Sequence, residues 1–133
     1  MSLTIQHEVC PEQIKVTVRG QWNLEKAKRG MDELRAVADE LGIYRILADV
    51  RGMSPQESHF SRFFTGEHIA RTFPYPFKVA VIDEPEYLNS FVETVVINRG
   101  VFLAVFPDEK SALAWLLAKE TLPRDAVSEP VSG

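Results

Sequence analysis

Three short runs in this chain are apolar with almost no polar alternation: "YRILADV" at 44–50, "FKVAVID" at 77–83 and "VFLAVF" at 101–106. A strand with one solvated face alternates apolar and polar residues. A strand covered on both faces loses its polar positions, as parallel strands between two helical layers do. The longest unbroken run, "VFLAVF", falls far short of the roughly 20 residues that span a bilayer, so the runs are expected inside a globular core.

The segments around them supply the rest of such a fold. Leu3, Ile5 and Val9 sit at odd positions, and Ile14, Val16 and Val18 alternate with Lys15, Thr17 and Arg19. That period of two predicts a half-exposed antiparallel hairpin turning near Pro11 to Gln13. Asn23 then caps a helix in which Leu24, Ala27, Met31, Leu34, Ala38 and Leu41 fall three or four apart, and Gly42 stops it. Gly30 costs this helix about 1 kcal/mol relative to alanine, which points to a close packing contact there. Further helices are predicted from Pro55 to about Phe73, from about Glu86 to Asn98, and after the cap Asp108, where Leu113, Leu116 and Leu117 point inward and Trp115 lies at a flank.

The resulting order, β-β-α-β-α-β-α-β-α, predicts a single α/β domain over residues 1–120 with a mixed five-stranded sheet, a parallel core, a hairpin edge and four helices. Residues 121–133, "TLPRDAVSEPVSG", lack periodicity and are expected to form a loose tail. The chain's 133 residues suit one domain, and its 45% hydrophobic and 26% charged composition is that of an ordinary globular protein. With a net charge of −4 and basic residues interleaved with acidic ones, it offers no clustered surface for nucleic acid. Cys10 is the single cysteine and allows no intramolecular disulfide. The opening "MSLTIQHEVC" lacks the basic and apolar regions of a secretory signal, so a cytoplasmic location is expected.

Ser54 invites three readings. Ser54-Pro55-Gln56-Glu57 matches the S-x-x-E capping box with proline at the first helical position, and capping alone explains the serine. A nucleophilic serine at a strand-to-helix elbow needs G-x-S-x-G, and here Gly52 is present while the second glycine is missing. A phosphate on Ser54 or Ser58 would be tolerated at a helix N-terminus, where free N–H groups favour negative charge.

Elsewhere, Asp49 and Arg51 share one side of the end of a strand, at the sheet edge where α/β folds place ligands. A local salt bridge between them and a partner contact by Arg51 are the two readings. His7, His59 and His68 include no pair at metal-binding helical spacing, and His59 and His68 are expected on a helix surface. Phe60, Phe63, Phe64, Phe73, Tyr75 and Phe77 crowd one region. Adjacent Phe63 and Phe64 cannot both be buried by one helix, so core packing competes with a groove or apolar pocket bordered by Arg62 and Arg71.

The stretches "ILADVRGM", "PFKVAVID" and "VFLAVFPDEKSALAWLL" resemble the third, fourth and closing elements of the SpoIIAA-like family, the last with its Phe-x-Asp turn and Ala-x-x-Trp-Leu helix. That family is related to the STAS domains of anti-sigma-factor antagonists and to lipid-binding Sec14-type domains. The resemblance covers about residues 3–119 and implies a strand-loop-helix junction at 49–58. In phosphorylated STAS antagonists a serine in an Asp-Ser-like motif is the switch at this junction. Here Asp49 is followed by Val50-Arg51-Gly52-Met53, which displaces Ser54 from that motif.

Two functional readings follow. The first is a non-enzymatic regulatory or binding module that contacts a protein partner through Asp49, Arg51, Ser54, Ser58, His59, Phe60, Arg62, Phe63 and Phe64. The second is a carrier of a small apolar or lipid-like ligand in a pocket lined by the Phe60–Phe77 cluster. Neither needs a cofactor or metal, and an exposed Phe or Tyr of the same segment also offers a homodimer surface.

Overall fold

The alternation of Ile14, Val16 and Val18 places strand β2 (Ile14–Gly20) with one apolar face, and β1 (Thr4–Val9) pairs with it antiparallel around the turn at Pro11 and Glu12. The computed structural model describes residues 3–53, 59–84 and 102–118, and of residues 59–63 the backbone alone. The three apolar runs form β3 (Arg45–Met53), β4 (Lys78–Ile82) and β5 (Phe102–Phe106). The sheet runs β1-β2-β3-β4-β5, antiparallel only at the hairpin and parallel throughout the rest. This is the mixed five-stranded α/β sheet expected from the order of elements.

Helix α1 (Leu24–Leu41) starts where Asn23 adopts an extended conformation and its side chain accepts from Lys26 N–H at 2.9 Å. It ends at Gly42, whose φ of 70° lies in the left-handed region that only glycine adopts freely, and Gly42 N–H donates to Ala38 C=O at 2.8 Å. Ala27, Gly30, Leu34 and Ala38 are its buried residues. The apolar stripe predicted to run on to Leu41 stops a turn early: Leu41 is exposed, because the helix has passed the edge of the core by then. Helix α2 (His59–Thr72) precedes β4, and α3 (Glu109–Leu117) follows β5 with Asp108 as its cap, accepting from Ser111 N–H at 2.7 Å.

Three helices are therefore described where four were expected. The helix anticipated at 86–98, the Ser54 cap with the turn after it, and the tail 121–133 lie outside the described residues.

Consecutive residues of the parallel strands enter different apolar clusters. Ile46, Val79 and Leu103 join Leu34 and Ala38 of α1 with Phe73 and Phe77, while Leu47, Ala80 and Ile82 join Ala112 and Leu116 of α3. Side chains alternate across a strand, so α1 and the end of α2 cover one face and α3 the other. Two-sided burial is the physical reason the three runs lack polar alternation. Trp115 stands at the flank of α3, its ring centroid 5.0 Å from that of Phe102 and 5.5 Å from that of Phe106.

Candidate functional site at the end of the third strand

The strand β3 is longer than the run 44–50 suggested, and its extra residues carry the site. Thr17 pairs with Asp49 but Arg19 pairs with Gly52, so β3 gains one residue over β2 within two steps. Such a bulge bends the strand and re-aims a side chain. Within it, Arg51 N–H donates to Asp49 Oδ1 at 3.1 Å. The Arg51 side chain turns back on the same carboxylate, with Nε 3.0 Å from Oδ1 and Nη2 2.8 Å from Oδ2. One carboxylate thus fixes both the backbone and the fork of Arg51.

Charge follows geometry here. The hydrogen bond from Arg51 holds the Asp49 carboxyl below its ordinary pKa against the opposing effect of burial, and Asp49 in turn raises the Arg51 pKa. Arg51 itself is exposed, so the clasp holds its guanidinium at the surface with Nε and Nη2 both bonded to Asp49. Gly52 beside it leaves room for Arg19: a Cβ at Gly52 would lie 3.0 Å from Arg19 Cγ.

The C-terminal ends of the neighbouring strands bring further charges to this edge. Asp83 follows β4 with its carboxyl pKa raised, chiefly by burial, although Glu84 N–H donates to its Oδ1 at 2.8 Å. Glu109 and Glu84 act electrostatically on Arg51, and Arg51 on Asp108. Glu109 also pairs with Lys15 of β2 at 3.2 Å. Arg19, Lys15, Asp83 and Glu109 were not singled out from the sequence as site residues, and Asp108 was read there only as a helix cap. The available signal was topological: parallel strands deliver their C-terminal ends, and the cap of the helix that follows, to one edge.

The other expected site residues divide. Ser54 and Ser58 lie outside the described residues, as do the side chains of His59, Phe60, Arg62 and Phe63. Phe64 and Tyr75 are half exposed, whereas Phe73 and Phe77 are buried and meet edge to face, Phe77 also meeting Tyr44. The described members of the aromatic cluster thus do not form one lining. Its C-terminal half divides between core and surface because Phe73 and Phe77 flank the turn that docks α2 on the sheet. A shallow depression of about 440 Å³ lies at the opposite end of the sheet, lined among others by Pro11, Tyr44, Arg45 and Pro76.

His68 corrects the expectation of a surface histidine. It is buried against α1, with Nε2 2.8 Å from Asp32 Oδ1. Helix α2 carries so weak an apolar stripe that its inner face could not be read from spacing, and a polar pin takes the place of an apolar residue. Among the described residues no group of three or more His, Cys, Asp or Glu side chains is placed to hold a metal ion, and no helix is long and apolar enough to cross a membrane.

Solved structures similar to this one include an anti-sigma factor antagonist from Mycobacterium paratuberculosis, with TM-score 0.63 and 12% identity over 88% of this chain and 96% of that one. An uncharacterised protein with a SpoIIAA-like fold from Shewanella loihica PV-4 matches with TM-score 0.58 and 20% identity, over 86% of this chain and 93% of that one. The anti-sigma factor antagonist SpoIIAA in its unphosphorylated form matches with TM-score 0.54 and 10% identity, over 84% and 95%. No protein-family model and no curated protein matches the sequence. The fold is SpoIIAA-like.

Proposed function

We propose that this chain is a non-enzymatic regulatory module that works by binding a protein partner at the junction 49–58, with Arg51 as the central contact. The clasp of Arg51 on Asp49 carries the reading. A surface arginine normally loses side-chain entropy on binding, and one already held in a fork loses less. The similar folds of anti-sigma factor antagonists support a protein-binding role. Ser54, Ser58, His59, Phe60, Arg62, Phe63 and Phe64, which follow the bulge in the sequence, are proposed as further partner contacts, and Ser54 is a candidate for phosphorylation.

Affinity capture from the source cell tests this, using the wild-type chain beside Arg51→Lys, Ser54→Ala and Phe63→Ala. The expected result is a partner retained by the wild type and depleted at least about tenfold by Arg51→Lys, which keeps the charge but loses the fork. Recovery of no partner that depends on any of the three residues would sink the reading.

A further inference from the structure

Strand β1 is one edge of the sheet, and β2 is its only partner among the described strands. The bond from Cys10 N–H to Gln13 C=O, 2.9 Å, sets the phase of the hairpin. Bonded and non-bonded pairs alternate along an antiparallel ladder, so Thr4, Gln6 and Glu8 turn their backbone groups toward β2, and Ile5, His7 and Val9 turn theirs outward. Only Ile5 of the six residues is partly buried, and Val9 is 54% exposed. Natural edges are usually blunted by lysine, proline, a bulge or a cover. Thr4–Val9 has neither lysine nor proline, its register with β2 is unbroken, and all of its residues but the half-buried Ile5 are exposed, so among the described residues no element pairs with its outer edge.

We propose that this edge is an interface between two copies of the chain, β1 pairing antiparallel with β1 about a twofold axis through His7. Outward-pointing residues must face one another for the bonds to close, which leaves few registers. With the axis at His7, Ile5 faces Val9 of the second copy and Gln6 faces Glu8, so the exposed aliphatic side chain gains an apolar neighbour and the carboxylate gains an amide donor. Moving the axis to Glu8 sets two carboxylates directly opposite, which is destabilising. Moving it to Gln6 matches Val9 with Leu3, which is already buried within its own chain. The sequence of β1 thus complements itself best about His7.

A strand pair of this length buries less than a standard interface, so the association is weak, with Kd on the order of 100 μM. The His7 axis also sets Thr4 opposite Cys10 of the second copy as a non-bonded pair, with Cα atoms about 4.5 Å apart, within disulfide reach.

Sedimentation equilibrium of the full chain between about 10 μM and about 1 mM, bracketing that Kd, should show the mass rising from monomer toward dimer. Val9→Lys, which changes an exposed side chain on the edge, should stay monomeric with an unchanged melting temperature. Mild oxidation of Thr4→Cys at high concentration should give an interchain disulfide to Cys10 that disappears when Cys10→Ser or Val9→Lys is added. Monomer mass across the whole range, or a dimer and a cross-link indifferent to Val9→Lys, would overturn the proposal.

Discussion

Arg51 Nη2 lies 2.8 Å from Asp49 Oδ2 while Arg51 Nε lies 3.0 Å from Oδ1, so two residues separated by one position close a ring at the end of β3. The contact exists because the bulge between Asp49 and Gly52 turns Arg51 out of the ladder and leaves its N–H to a side-chain acceptor. Local closure of this kind costs little chain entropy, since both partners are already fixed by the strand.

The first prediction concerns titration. Arg51 lowers the Asp49 pKa, so ionised Asp49 contributes stability above the pKa it has in the unfolded chain, near 3.9, and that contribution is lost as pH falls through its folded pKa. Asp83 has the opposite sign: its raised folded pKa means a cost of ionisation above that value, relieved as pH falls through the unfolded pKa. Carbon-detected NMR titration should give Asp49 a midpoint below, and Asp83 one above, an ordinary aspartate. In Arg51→Gln the Asp49 midpoint should move up while that of Asp83 moves little. Equal midpoints in the wild type would contradict the clasp.

The second concerns His68. The Asp32 carboxylate accepts from His68 Nε2–H at 2.8 Å, and the buried Nδ1 of the same ring has no hydrogen-bond partner among the described residues. Asp32→Ala removes the acceptor of a buried donor and should cost about 1–3 kcal/mol, more than an exposed helix position normally does. Asp32→Asn keeps an acceptor oxygen and should cost roughly half as much or less by the same reasoning. Urea unfolding of the two variants checks the order.

What could be read from the sequence separates by the range of the interaction. The five strands, the Asn23 and Asp108 caps, the Gly42 stop and the pairing of Asp49 with Arg51 are consequences of neighbours within a few positions, so spacing reveals them. His68 with Asp32 and Lys15 with Glu109 join residues 36 and 94 positions apart, and no local pattern announces them. The bulge that aims Arg51 is likewise a mismatch between two strands. The division of the aromatic cluster was illegible for a related reason: Phe73 and Phe77 are buried by the docking of the turn after α2, which composition does not encode.

The third prediction rests on Lys78, which is 3% exposed, with Nζ 2.6 Å from Trp115 C=O and 4.6 Å from the centroid of that indole. Helix α3 has no basic residue in its last turn, and Lys78 of β4 supplies one from outside the helix. Lys78→Met preserves the stem and removes the donor, leaving a carbonyl of the last turn without this partner. A loss of about 1–3 kcal/mol is expected, accompanied by a shift in tryptophan emission as the ammonium leaves the indole face. An unchanged emission spectrum with unchanged stability would show that the contact contributes nothing.

The fourth prediction separates helix propensity from packing at Gly30. A Cβ added there would overlap Ile5 Cδ1, where β1 crosses α1. Alanine should favour the helix by about 1 kcal/mol over glycine, and the overlap offsets that gain, because Ile5 is half buried and must leave its rotamer to make room. The atom in the way is the end of a flexible side chain, so the conflict disappears when Cδ1 is removed. Gly30→Ala should therefore be close to neutral in the wild type and stabilising by about 1 kcal/mol in an Ile5→Val background, although Ile5→Val alone costs about 0.5–1.5 kcal/mol. The double-mutant cycle isolates the contact, with a coupling of about 0.5–1 kcal/mol expected. Strict additivity would mean that Ile5 yields without cost, and that the glycine answers to something other than the crossing of β1 over α1.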